Sequence, residues 1–122
     1  MSADHGAGPK PQPPTEFRDV HDFLAQVRLR PGAWLPGGSL QHLQAMLIGY
    51  GVALDTHGVD EPFEFAPAVG AFPEWLNRTK GLSLVPGWAR AVEDAAGDEP
   101  PLDVFFRYLD EWRADTAAGP RA

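Results

Sequence analysis

The sequence predicts an all-α fold, a compact bundle of about five helices behind a disordered Pro-rich N-terminal tail. Three observations carry that expectation. Apolar residues recur every three or four positions in several separate stretches, the period of one helix face. No alternating apolar and polar run of any length marks a strand. Most of the 13 Pro and 13 Gly fall between or at the edges of the periodic stretches, where they start and stop helices.

Residues 1–14 hold Gly6, Gly8, Pro9, Pro11, Pro13 and Pro14, with only Met1, Ala3 and Ala7 as apolar content. That composition does not offset the entropy of ordering, so residues 1–15 are read as a flexible tail and 16–117 as a single helical domain. The first helix carries Phe17, Val20, Phe23, Leu24 and Val27 on one stripe, with Asp19 or Thr15 placed to cap it. Pro31 disfavours helical geometry at Arg30, which ends the helix near Leu29. Residues 30–38 are rich in Pro and Gly and form a connector whose Trp34 and Leu35 tuck against the core.

Ser39 then suits an N-cap for the strongest helix, where Leu40, Leu43, Leu47, Tyr50 and Leu54 repeat and Met46 widens the stripe. Gly49 and Gly51 each cost a helix interior ~1 kcal/mol relative to Ala, which points to another element approaching closely near Tyr50. Gly58 is the expected stop. Pro62 and Pro67 break any long element in 58–72, while Phe63, Phe65, Val69 and Phe72 call for burial, with a short strand at 63–65. Pro73 opens a short helix ended by Gly81, and Pro86 opens another, carrying Trp88, Ala89 and Val92, ended by Gly97. The last helix opens at Asp98, Glu99, Pro100 and Pro101, presents Leu102, Phe105, Phe106, Leu109 and Trp112 along one side, and closes at Gly119-Pro120.

The same residues exclude most chemistry. With no Cys there is no disulfide and no thiolate nucleophile, and a zinc site would have to draw on His5, His21, His42, His57 and carboxylates, none of them at ligand spacing. No metal and no cofactor is expected. Ser39 and Ser83 lack a Gly-x-Ser-x-Gly elbow, and no Gly-rich phosphate loop is present, so no catalytic constellation can be named and an enzyme is not expected. No apolar run approaches the ~20 residues of a membrane span. The first 15 residues have one Lys and no apolar core, unlike a secretory signal, and a cytoplasmic protein is expected.

Charge is unevenly placed. Residues 1–54 balance, whereas 55–122 hold thirteen acids against six bases and so carry the whole net charge of −7. A chain this acidic, with pI near 4.9, does not offset the phosphates of a nucleic acid. Within 93–103, Glu93, Asp94, Asp98, Glu99 and Asp103 stand without a base, and are the candidate partner-binding residues for a cationic protein. A second candidate is a small-ligand pocket lined by Arg30, Trp34 and Tyr50 between the first two helices.

One phrase stands out, Arg30-Pro31-Gly32-Ala33-Trp34-Leu35. It is similar to a phrase of the DNA gyrase B subunit ATPase, but the helix that follows reads Gln41, His42 and Gln44 where that ATPase needs Glu and Asn, so the ATPase is rejected. The chain also resembles a group of small, often actinobacterial proteins in which an amphipathic helix precedes Arg-Pro-Gly, an aromatic and an aliphatic residue, then Ser-Leu-x-x-Leu and Gly-Tyr. Here those positions are Phe23, Leu24, Arg30, Pro31, Gly32, Trp34, Leu35, Ser39, Leu40, Leu43, Leu47, Gly49 and Tyr50. Phe72, Trp75, Leu76, Gly87, Trp88, Phe105, Phe106, Leu109, Asp110 and Trp112 continue the likeness. The resemblance implies a non-catalytic immunity protein, encoded beside a secreted polymorphic toxin, that binds and neutralises a basic toxin domain. The acids at 93–103 would then take the place of the phosphates in the toxin's cleft.

Overall fold

The computed structural model describes residues 10–67 and 69–117. Among them there is no strand, and six α-helices follow in order: α1 (Val20–Leu29), α2 (Pro31–Trp34), α3 (Leu40–Thr56), α4 (Ala71–Lys80), α5 (Trp88–Ala96) and α6 (Pro101–Ala117). Single 3-10 turns sit at Pro14–Glu16 and Pro36–Gly38. The all-α expectation holds, with one more helix than expected because the Pro/Gly connector coils into the single turn α2.

Local chemistry sets the boundaries. The Asp19 carboxylate accepts the His21 N–H at 2.9 Å and starts α1, and the Ser39 hydroxyl accepts the His42 N–H at 3.2 Å and starts α3. α3, α4 and α5 end at Thr56, Lys80 and Ala96, each within two residues of the glycine expected to stop it. Gly81 takes φ 70°, ψ 21°, a left-handed cap that a β-carbon disfavours. α4 begins at Ala71, two residues earlier than expected, because a proline in the first helical turn forfeits no intrahelical bond. α5 begins at Trp88, after Pro86 and Gly87. The Gly119-Pro120 stop lies outside the described residues.

The segment 63–65 forms no strand, which corrects the expected short strand. Its aromatic side chains are used for packing instead. Phe65 is fully buried and its ring lies 5.6 Å from Phe72, which also meets Trp75, Trp88, Phe105 and Trp112 at 5.5 to 6.3 Å. Phe72 is thus the hub of one aromatic core, into which α5, α6 and α4 each send a Trp or Phe. α3 packs on α5, and α6 packs on α3, α4 and α5. α1 adds Val20, Phe23, Leu24 and Val27, and Leu35 from the connector is fully buried, as its sequence setting predicts.

Residues 1–9 of the expected tail lie outside the described residues, but Lys10 to Pro13 lie against α1. The buried Gln26 side chain accepts the Gln12 N–H at 3.1 Å and donates to the Lys10 carbonyl at 2.8 Å. A buried amide needs such partners, and these two peptide groups supply them.

Candidate functional site

Consecutive helical residues point ~100° apart, so acids close in sequence need not share a face. The five acids at 93–103 illustrate this. Glu93 is half-buried and accepts from Gln41 Nε2 of α3 at 2.8 Å. Asp94 is exposed and pairs with Arg90 one turn back at 3.0 Å. Glu99 takes a bidentate bond from Arg107, at 2.9 and 3.2 Å, which holds its carboxyl below the ordinary range. Asp103 points into a hollow of about 400 Å³ shared with Arg28, Arg107 and Asp110. Asp98 and Asp103 are exposed, and among the described residues their side chains make no hydrogen bond or ion pair. The turn between α5 and α6 therefore presents Asp98, Glu99 and Asp103 to solvent, with Arg107 already beside them, while Glu93 leans towards α3.

The proposed small-ligand pocket is divided. Arg30 and Trp34 do share an open hollow of about 400 Å³, with Gln12, Gln26 and Ala33. Arg30 is exposed and its guanidinium makes no ion pair among the described residues, while Trp34 meets Phe23 edge-on at 5.4 Å. Tyr50 does not line that hollow; its ring lies 6.3 Å from Phe23. Its ring stacks on Phe63 at 5.7 Å and its hydroxyl donates to Glu61 at 2.9 Å. Burial first, and that hydrogen bond second, push the phenol well above its ordinary pKa, so it stays protonated.

Several organising residues carry no local signature. Arg28 of α1 grips Asp110 of α6 through two bonds of 2.7 and 2.8 Å and lies over the Phe106 ring at 5.1 Å. Gln44 of α3 accepts the Ala89 N–H at 2.9 Å, capping α5, whose own N-cap Gly87 has no side chain to offer. Trp75 donates to Asp115 at 2.9 Å, and His21 meets Glu64 at 3.0 Å. Their separations of 40 to 82 residues explain why the sequence does not announce them.

Among the described residues no three His, Asp or Glu side chains gather in a ligand-like group, and no helix is long and apolar enough to cross a membrane. Comparisons with protein-family models, curated proteins and solved structures find no match for this chain.

Proposed function

We propose that this chain is a non-catalytic protein-interaction domain of the immunity type, a cytoplasmic protein that binds and neutralises a basic toxin domain through an acidic surface. The observation that carries the reading is the exposed start of α6 and the turn before it, where the carboxylates of Asp98 and Asp103 have no side-chain partner among the described residues. The chain around them is strongly acidic, with thirteen acids against six bases in 55–122. Such a field draws in a cationic partner and excludes anionic ones. Exposed ion pairs such as Asp94 with Arg90 are weak and exchange partners at little cost, so the remaining acids at 93–103 can join once a stronger cation arrives.

The test is neutralisation. Cells expressing a toxin encoded beside this gene should grow when the chain is supplied, and a purified complex should form in equal proportions. Undiminished toxicity in the presence of folded chain would end the immunity reading.

A second reading is favoured by one observation, the unpaired Arg30 beside Trp34 in its hollow, which suits an anionic small molecule stacked on an aromatic face. A thermal-shift screen with anionic metabolites checks it. The expected signature is stabilisation that disappears in Arg30→Ala; stabilisation that survives that change would place the ligand elsewhere.

A further inference from the structure

α3 is apolar on more than the side it buries. Leu40, Leu43 and Leu47 enter the core, yet Ile48 and Val52, one turn apart on another face, are 40% and 57% exposed. Val59, on the returning chain, is 48% exposed. These side chains are not scattered, for all three line one open groove of about 460 Å³ between the C-terminal half of α3 and residues 59–67. Phe63 forms its inner wall, and that wall is held in place by the Tyr50 stack and by the bond from Tyr50 to Glu61. A preformed apolar groove of this kind marks a binding surface.

The charge around it selects the occupant. The groove's charged residues are Asp55, Asp60 and Glu61, and among the described residues no Lys or Arg lines it. Among the described residues, Asp55 and Asp60 make no side-chain hydrogen bond or ion pair. A second copy of this chain would bring the same three acids face to face across a twofold interface, which like-charge repulsion opposes. An anionic membrane surface is opposed for the same reason.

We propose that this groove receives a cationic amphipathic helix of a partner protein. Apolar side chains at i and i+4 of that helix seat against Ile48, Val52 and Val59, and Lys or Arg on its flanks meet Asp55, Asp60 and Glu61. The inference rests on reading the chain as a protein-interaction domain and supplies the apolar anchor that charge alone does not provide.

The test titrates the full isotope-labelled chain with a synthetic helical peptide bearing leucines at i and i+4 and flanking lysines, and with a twin bearing glutamates for the lysines. The lysine peptide should shift amides clustered in residues 48–63, and the glutamate twin should shift none. Val52→Glu, at an exposed position that leaves the fold intact, should weaken binding by about tenfold or more. Asp55→Lys with Asp60→Lys should do the same. Shifts centred on the α5–α6 turn or spread over the surface, equal binding of both peptides, or unchanged affinity in Val52→Glu would each overturn the groove. Toxin neutralisation that survives Val52→Glu also counts against it, whereas peptide binding in the groove without neutralisation sinks only the immunity reading.

Discussion

At Gln44 a single amide side chain decides how α5 begins. Its Oε1 takes the Ala89 N–H that Gly87 cannot satisfy, so Gln44→Ala leaves a helix start without its cap. The expected loss is ~1 kcal/mol in urea denaturation, against little change for Gln41→Ala, whose side chain is exposed. The two glycines of α3 give a second contrast. A β-carbon at Gly51 would stand 2.8 Å from Phe63 Cε2, whereas at Gly49 it meets nothing within 4 Å. Gly49→Ala should therefore stabilise the chain by ~1 kcal/mol, and Gly51→Ala should fall short of that gain because Phe63 must move off Tyr50. Equal gains from the two changes would contradict the close approach. The sequence pointed to a close approach near Tyr50 from both glycines, and the structure places it at Gly51 alone. The side chain making the approach was not legible, because Phe63 lies beyond a turn whose path local residues do not dictate.

Between elements, the clamp of Arg28 on Asp110 ties the first long helix to the last. The arginine's hydrogen bonds hold the Asp110 carboxyl below its ordinary range, so the clamp stabilises the fold above about pH 4 and that contribution is lost as the pH falls through the lowered value. Both side chains are about half exposed, so a double-mutant cycle of Arg28→Met and Asp110→Asn should give a coupling of no more than ~1 kcal/mol at neutral pH, vanishing in strong acid. A coupling that persists undiminished there would contradict the charge pair as its source. Element boundaries were largely legible because their causes are local: Asp19 and Ser39 cap from one position away, and Gly81 stops α4. What the periodic pattern hid was the second face of α3, since the buried leucine stripe accounts for the helix and leaves Ile48 and Val52 unremarked. The acids at 93–103 do not act as one group: Glu93, Asp94 and Glu99 are turned to Gln41, Arg90 and Arg107, while Asp98 and Asp103 stay exposed.

Over the whole molecule, one aromatic core centred on Phe72 joins α4, α5, α6 and the loop bearing Phe65. Truncating that hub, Phe72→Ala, should cost ~3 to 5 kcal/mol, a large share of the ~5 to 15 kcal/mol that holds a domain together, and should lower the unfolding midpoint of every spectroscopic probe together. Probes that separate would instead reveal two independent clusters. With disulfides absent, this core and its capped helices must supply the stability. The most direct measurement of the proposed role is the association rate of the chain with the basic toxin domain that the immunity reading calls for, followed from low to high salt. The wild-type rate should fall steeply as salt rises, and Asp98→Lys with Asp103→Lys should reduce it about tenfold and flatten the slope. A complex that forms at the same rate, with the same salt dependence, in wild type and variant would contradict the acidic docking surface.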